Sequence, residues 1–254
     1  MISTPYRLPF PFLYADGAFS ADRPAVVVVR APSAQGLLEI DGVMTKFAAL
    51  GRSGALCGGS LSPALAQFDL APPSGMGNDR RYTVQRALLV EESLVVLAHM
   101  LLAVQAKAVL QSVEILSAAS TQRRVLAHKP RSEPTYPPRF DPLPYALDDL
   151  EPEGGGYSFE VELEESIQPL NKAQLNAALE AWMDAIISGA YALSPLDPNE
   201  GYVETVDDQV AAYDRKIEWA VFKLRADSAA LDGILNILTG LHLRGQRIRR
   251  VEID

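Results

Sequence analysis

The sequence has few of the residues on which metal and thiol chemistry depends. Of its 254 residues, one is cysteine and three are histidine. The single cysteine, Cys57, excludes an intramolecular disulfide and a cluster of thiolate ligands. His99, His128 and His242 are far apart, and no two have the i, i+3 or i, i+4 spacing of a helical metal site. We therefore predict no metal site and no cofactor.

Motifs of nucleotide binding and nucleophilic catalysis are also missing. The glycine-rich segment Gly51–Ser60 contains no Walker lysine, and it follows a helical pattern instead of opening one. Neither Ser53 nor Ser60 lies in a G-x-S-x-G nucleophile elbow. Cys57 has only Arg52 as a nearby cation in the sequence, so we expect a small buried side chain rather than a reactive thiol. The sequence indicates no catalytic residue.

No apolar run is long enough to cross a membrane as a helix. The longest, Leu94–Ala106, is interrupted by His99 and Gln105 and is shorter than the ~20 residues that a transmembrane helix needs. Hydrophobic residues make up 48% of the chain, which is enough to fill the core of a globular protein. We predict a cytoplasmic globular protein without a membrane partner.

Basic residues are scarce in the second part of the chain. Residues 1–150 hold 14 Lys and Arg against 13 Asp and Glu, a net charge of +1. Residues 151–254 hold 9 against 19, a net charge of −10. Because binding to nucleic acid depends on basic charge, this imbalance disfavours that class of partner. An acidic surface is compatible with a basic protein partner.

What the sequence does contain is an internal similarity at an offset of 138 residues. The offset aligns Ser33 with Asn171, Gly51 with Gly189, Leu97 with Leu235, Met100 with Leu238, and Val113-Glu114-Ile115 with Val251-Glu252-Ile253. Ser33 and Asn171 are predicted to cap the start of equivalent helices, and Gly51 and Gly189 to end them. One offset that holds across two helices and a closing strand indicates an internal duplication.

Each copy has the pattern of strand, helix, two strands, helix, strand. The elements predicted in the first copy are Ala25–Arg30, Ser33–Leu50, Gln67–Leu70, Tyr82–Val90, Glu91–Ala108 and Leu110–Leu116. Those of the second are Tyr157–Glu165, Asn171–Ser188, Tyr202–Val206, Lys216–Arg225, Ser228–Leu243 and Arg247–Ile253. This order predicts an α+β fold, a tandem duplication of a ferredoxin-like βαββαβ unit. Each unit would have a four-stranded antiparallel sheet with two helices on one face.

The predicted boundaries follow from the segments outside the two copies. They are an apolar N-terminal arm at 1–23, the first ferredoxin-like repeat at 24–128, a linker at 129–156 and the second repeat at 157–254. The arm is apolar between Tyr6 and Tyr14, so we expect it to pack over the body of the chain or over a partner subunit. The linker holds seven prolines and then Gly154–Gly156, which predicts an extended connection.

Glutamates at alternate positions of one strand form the candidate site. In Tyr157–Glu165, apolar side chains on one face alternate with Glu160, Glu162 and Glu164 on the other. Because the helices of a ferredoxin-like unit cover one sheet face, we expect these glutamates on the open face, with Arg250 and Glu252 beside them. This face would be a salt-bridged surface in water, a partner-binding sheet or the wall of a polar cavity.

The opening strand of the first copy, Ala25–Val29, is apolar on both faces, so we expect its open face to be covered. If the two open faces met in a barrel, glutamates would be buried against valines at a high desolvation cost. We therefore expect the copies to pack side by side.

The function that these features favour is a non-enzymatic acidic protein-binding module, an inhibitor of the immunity-protein type. The partner would be another protein with a basic surface, and the predicted partner-binding residues are Glu160, Glu162, Glu164, Glu204, Asp207 and Asp208. Two alternatives stay open. One is a small-ligand-binding protein or enzyme with a pocket between the repeats, and the other is a structural subunit of an assembly. The oligomeric state does not follow from the sequence.

Overall fold

A computed structural model of the chain describes residues 8–19, 24–75, 77–105, 109–118, 120–126, 136–149, 156–192, 202–205 and 211–254. Within those residues the strands are β1 Phe12–Ala15, β2 Ala25–Arg30, β3 Gln67–Leu70, β4 Asp79–Leu88, β5 Ser112–Ser117, β6 Arg123–Val125, β7 Ala146–Asp149, β8 Tyr157–Leu163, β9 Tyr202–Thr205, β10 Ala211–Tyr213, β11 Lys216–Arg225 and β12 Ile248–Ile253. The helices are α1 Ala34–Ser53, α2 Ser93–Val104, α3 Pro169–Ile187 and α4 Ala229–Leu243, with a 3-10 turn at Pro63–Leu65. The chain is a mixed α+β protein with two sheets, as predicted at this level.

The first half of the molecule, β1 to β6 with α1 and α2, is built on a sheet of six strands in the order β3-β4-β2-β5-β1-β6. Strand β2 lies antiparallel between β4 and β5. Strand β1 pairs parallel with β5, and β6 pairs antiparallel with β1. Phe12 and Tyr14 of β1 are buried, so this part of the segment predicted as an arm is a strand of the sheet.

The second half, β7 to β12 with α3 and α4, repeats this strand order. Its sheet follows the path β10-β11-β8-β12-β7, and β9 pairs with β11 next to β10. Strand β8 lies antiparallel between β11 and β12, and β7 pairs parallel with β12 as β1 does with β5. The proline-rich segment therefore contains a strand. Pro142 and Pro144 precede β7 in the chain, where a missing N–H costs no ladder hydrogen bond.

Helix α1 begins where the sequence predicts and ends three residues later than expected. Ser33 is its N-cap, with Oγ accepting a hydrogen bond from the Gly36 N–H at 3.1 Å. Gly51 was wrongly predicted to stop the helix, which continues to Ser53. Gly54 provides the stop because its φ of 98° is in the left-handed region, which favours glycine.

Helix α3 begins before the predicted residue. Asn171 is not its N-cap, because the helix starts at Pro169, whose fixed φ suits the first helical position. The side chain of Gln246, from the loop after α4, caps the start of α3. Its Oε1 accepts hydrogen bonds from the backbone N–H of Gln168 at 3.1 Å and from Asn171 Nδ2 at 3.2 Å.

The two halves pack through their helices, which lie between the two sheets. Helix α1 contacts α3, and Lys46 Nζ on α1 donates a hydrogen bond to Ser188 Oγ at the end of α3 at 2.8 Å. Leu97 of α2 and Leu235 of α4 are buried, as predicted. The expected side-by-side packing is wrong, because the helix layers face each other and the open sheet faces point outward. The nearly uninterrupted burial of α2 and α4 follows from this arrangement.

A buried asparagine joins the halves where they meet. Asn236 Nδ2 donates hydrogen bonds to the carbonyl oxygens of Cys57 at 2.5 Å and Pro138 at 3.0 Å. Asn236 Oδ1 accepts one from the Phe140 N–H at 2.7 Å. A Cβ at Gly58 would lie 1.8 Å from the Pro138 oxygen, so this approach requires glycine. Cys57 is buried as expected, and burial raises the pKa of its thiol to about 12. One hydrophobic core therefore spans both halves.

Candidate functional site

The open face of the second sheet carries four carboxylates in a row. Glu160 on β8 lies directly opposite Glu218 on β11 and Glu252 on β12, and Glu252 lies opposite Asp148 on β7. These four residues, termed here the acidic row, cross four neighbouring strands that are spaced ~4.8 Å apart. Like charges directly opposite each other destabilise a sheet. The repulsion within the acidic row therefore opposes folding unless nearby cations offset it.

The adjacent row contains one of the cations that offset this charge. Lys216 lies opposite Glu162 in that row. Its Nζ is 2.7 Å from Glu160 Oε2 and 2.6 Å from Glu218 Oε1. The hydrogen bonds that Lys216 donates to these two carboxylates raise its pKa. Lys216 therefore serves one end of the acidic row and stays protonated.

Arg250 serves the other end. It lies opposite Glu162 in the register, but its guanidinium pairs with Asp148 Oδ2 and with Glu252 Oε2, the latter at 2.9 Å. The hydrogen bond to Asp148 is the main cause that raises the pKa of Arg250. Among the described residues, this face thus has six carboxylate side chains, Asp148, Glu160, Glu162, Glu218, Glu252 and, just after β12, Asp254, and two cations, Lys216 and Arg250. Four negative charges exceed the number of these cations, and water screens the ion pairs because the side chains are partly exposed.

A shallow depression of about 450 Å³ runs along the acidic row. Glu160, Glu218 and Glu252 line it, together with Ser158, Phe159, Ala211, Tyr213, Trp219, Ala220 and Asp254. Tyr213 lies at its edge, opposite Lys216 in the register, and is 64% exposed. An exposed aromatic residue next to a charged surface is common at protein interfaces, where tyrosine is enriched.

The structure brings some of the predicted site residues together and leaves others apart. Glu160 and Glu162 are half-buried on the open face. Glu164 is exposed one residue beyond the end of β8, where its backbone N–H donates to the Arg247 carbonyl at 3.0 Å. The backbone of Glu204 lies on β9, at the opposite edge of β11 from β8, but its side chain is not among the described parts. Asp207 and Asp208 lie outside the described residues.

Sequence reasoning missed two members of the acidic row. Glu218 could have been found, because it alternates with the buried residues Ile217 and Trp219 of a strand that the sequence predicts. Asp148 carried no such signal, since β7 has four residues and follows a proline-rich stretch.

Other polar groups that the sequence singled out lie in the core. Tyr136 Oη lies 2.8 Å from His99 Nδ1, and both side chains are buried. His242 Nδ1 accepts a hydrogen bond from the Ile248 N–H at 3.1 Å, and burial, followed by the charge of Arg247, lowers the pKa of His242. In the described ranges, no three His, Cys, Asp or Glu side chains are placed to hold a metal ion. None of the described helices is long and apolar enough to cross a membrane.

No known protein family matches the chain, and no curated protein matches its sequence. Among solved structures, the DyP-type peroxidase from Cellulomonas bogoriensis has 10% sequence identity, over 92% of this chain and 89% of the peroxidase chain. The TM-score is 0.21. That score is too low to support a statement about fold or function.

Proposed function

We propose that the protein is a non-enzymatic binding module that holds a basic partner protein against the open face of its second sheet, as an inhibitor of the immunity-protein type would. The acidic row is the observation that carries this proposal. Its four carboxylates share two cations, Lys216 and Arg250, so cations supplied by a partner would reduce the repulsion that remains. Charge of this kind also speeds encounter with an oppositely charged surface.

The shape of the face supports a protein rather than a small molecule as the partner. The carboxylates lie along four strands instead of converging on one point, and the depression beside them is shallow. Tyr213 at its edge offers an aromatic contact of the kind that anchors protein interfaces. A partner with lysine or arginine side chains on an extended surface would match this arrangement.

We also infer that the two halves arose by duplication of one ferredoxin-like βαββαβ unit. The elements β2-α1-β3-β4-α2-β5 have the same order as β8-α3-β9/β10-β11-α4-β12, and both sheets add a parallel strand at the same place. Val113 lies opposite Val29 in the first half, and Val251 lies opposite Val161 in the second. An experimental structure whose halves differ in strand order would contradict this inference.

The binding partner can be identified by photo-cross-linking. A benzophenone amino acid at Tyr213 should cross-link a basic protein, whereas the same group at Leu38, which is 60% exposed on α1, should not. Association rates with that partner would then be measured against ionic strength. The test variant is Glu160→Gln, Glu218→Gln, Glu252→Gln. The matched control removes three carboxylates elsewhere, with Glu39→Gln, Glu92→Gln, Glu180→Gln.

We expect the test variant to associate roughly tenfold more slowly at low salt and to lose much of its salt dependence. The control should change the rate by less than about twofold, because its charges lie away from the face. Two further triple variants compare the clusters that the sequence predicts. One is Glu160→Gln, Glu162→Gln, Glu164→Gln, and the other is Glu204→Gln, Asp207→Asn, Asp208→Asn. Equal slowing in test and control would mean that only net charge matters, and it would contradict a binding site at the acidic row.

A further inference from the structure

A second surface feature lies on the opposite side of the second half, where the helix layers meet. A groove of about 440 Å³ runs between the C-terminal part of α1 and α3. Its walls include the small residues Ala49, Ala177 and Ala181, which leave room between the helices. This groove shares no residue with the acidic face.

The ionisable residues that line this groove, Arg52 and Arg244, are both arginines. Five arginines of the described ranges have a carboxylate within salt-bridge distance, namely Arg30, Arg80, Arg123, Arg124 and Arg250. Neither Arg52 nor Arg244 has such a partner in the described residues. Within the described part of the chain, the groove therefore holds two positive charges and no carboxylate in its lining.

Each arginine is held in place by a neighbouring element. Arg52 Nη1 donates a hydrogen bond to the Phe68 carbonyl at 3.1 Å, which leaves its other N–H groups available. Arg244 lies against the last turn of α4, where a Cβ at Gly240 would be 3.1 Å from its Nη1. This partial burial lowers the pKa of Arg244. An anion next to Arg244 would offset the desolvation that causes the shift.

The remaining polar groups of the groove differ in what they can offer. The Ser53 hydroxyl donates to the Leu50 carbonyl at 2.7 Å and accepts from the Ala55 N–H at 3.3 Å, so its proton is already used. Gln174 is exposed and lines the groove. A ligand would therefore meet two guanidinium groups, which only donate hydrogen bonds, and one amide, which can donate through its NH2 group.

We propose that this groove binds a small organic anion, with a phosphate or carboxylate group held by Arg52 and Arg244. Guanidinium groups match the planar geometry of these oxyanions and bind them through paired hydrogen bonds. The groove volume is within the range of small-molecule sites. Because α1 and α3 belong to different halves, the bound anion would also fasten the halves together. This proposal is independent of the function proposed for the acidic face.

The test measures thermal stability and binding heat with two probes, inorganic phosphate and citrate, at an ionic strength held constant with sodium chloride. The full chain is compared with Arg52→Gln, Arg244→Gln and with the control Arg249→Gln, which removes an exposed arginine outside the groove. We expect one or both probes to raise Tm in the full chain and in the control. The double variant should bind roughly tenfold more weakly or worse.

A groove-filling variant, Ala181→Leu, keeps both charges and guards against misfolding of the double variant. It should block the probe while its circular dichroism stays unchanged. A larger response to phosphate or to citrate identifies the group that the arginines hold. The proposal is overturned if neither probe changes the Tm of the full chain, or if the double and groove-filling variants respond as the full chain does.

Discussion

The two sheets share a strand order but carry opposite kinds of residue on their open faces. In each sheet, one row of neighbouring residues on the open face crosses four adjacent strands. In spatial order, these are the third, first and fourth strands of the βαββαβ unit and then the added parallel strand. The row consists of Arg81, Val28, Glu114 and Leu13 in the first sheet, and of Glu218, Glu160, Glu252 and Asp148 in the second. The first row has no net charge and the second has four negative charges. The first sheet thus has a carboxylate at one of these four positions, Glu114, where the second has four.

The counter-ions differ in the same direction. In the first sheet, Glu114 has two cations within salt-bridge distance, Arg30 Nη1 at 3.5 Å and Arg123 Nη1 at 3.1 Å, and Arg30 is shared with Asp79. In the second, Lys216 and Arg250 are the cations that pair with the six carboxylates of the described face. The contrast shows that a carboxylate at an equivalent strand position can have a cation of its own, as Glu114 has Arg123.

The expectation that the first open face would be covered holds only for its centre. Val28 is 4% exposed, and its neighbours on the adjacent strands are Arg81 and Glu114. No helix of the described residues covers the rest of this face. Val26 and Leu116 are half-buried, and Val125 on β6 is 68% exposed. The apolar run in β2 therefore reflects shielding by long charged neighbours as well as the core on its other side.

The largest effect is expected in the cores of the two halves. Leu97→Ala and Leu235→Ala each remove a buried side chain from equivalent helices, and each should lower the free energy of unfolding by ~2–5 kcal/mol through lost transfer energy and a cavity. Urea unfolding measures the loss. Because the core is shared, each variant should still unfold in one transition. A second transition in either variant would show that the halves are less equivalent, or less coupled, than their packing indicates.

Local patterns in the sequence predicted the helices and strands, but they did not predict the contacts between them. The Ser33 cap, the alternation in β8 and the apolar α2 and α4 were readable because each depends on neighbouring residues. The cap that Gln246 provides for α3 comes from 75 or more residues away, so no local pattern marks it. The all-round burial of α2 and α4 did hold a clue to helix-to-helix packing of the halves, since such helices are covered on every side.

The candidate site was predictable in part for the same reason. Glu160 and Glu162 follow from alternation within one strand, whereas the acidic row exists only through the register of β8 with β11 and β12. That register, and the place of β7, depend on long-range pairing. Sequence reasoning therefore placed Glu160, Glu162, Glu252 and Arg250 on this face but missed Glu218 and Asp148, and with them the row.

A smaller effect should follow when the central residues of the two rows are exchanged. Val28→Glu places a carboxylate in a nearly buried position opposite Glu114, and the nearby Arg81 offsets only part of this charge. We expect a loss of about 1–3 kcal/mol in the free energy of unfolding. Glu160→Val removes a charge from between two others and should change stability by less than about 1 kcal/mol. Chemical denaturation of both variants at one pH measures the difference. Equal effects would show that the two faces do not differ as their rows suggest.

A third difference between the halves is an ionisable side chain in the second half, at a position where the first half has an apolar one. His242 lies at the end of α4, where the first half has Val104 at the end of α2. Burial and Arg247 lower the pKa of His242, so the unfolded chain binds a proton more readily than the folded protein does. The contribution of neutral His242 to the free energy of unfolding is then fully present above the unfolded pKa of ~6.5 and is lost as the pH drops below that value. His242→Gln keeps an acceptor for the Ile248 N–H but does not titrate. Urea unfolding between pH 7.5 and pH 5.5, at roughly unit steps around that pKa, should show a steeper loss in the unaltered protein than in this variant, and parallel curves would contradict the assignment.

The smallest effect on stability should come from the acidic row itself, and its sign is informative. In Glu160→Gln, Glu218→Gln, Glu252→Gln, mutual repulsion is removed together with the partners of Lys216 and one partner of Arg250. These contributions oppose each other, so the urea midpoint should change little at high salt, where the Debye length is only ~3 Å at 1 M. At low salt the screening is weaker, and repulsion among four carboxylates exceeds what two cations offset. The unaltered protein should therefore gain stability as salt is added, whereas the variant should gain less.

Arg81→Gln, Glu114→Gln in the first sheet supplies the comparison, because that row is compensated and its removal should leave the salt dependence unchanged. A loss of stability at low salt in the acidic-row variant would mean that the ion pairs outweigh the repulsion, and the row would then be a structural feature of the second sheet.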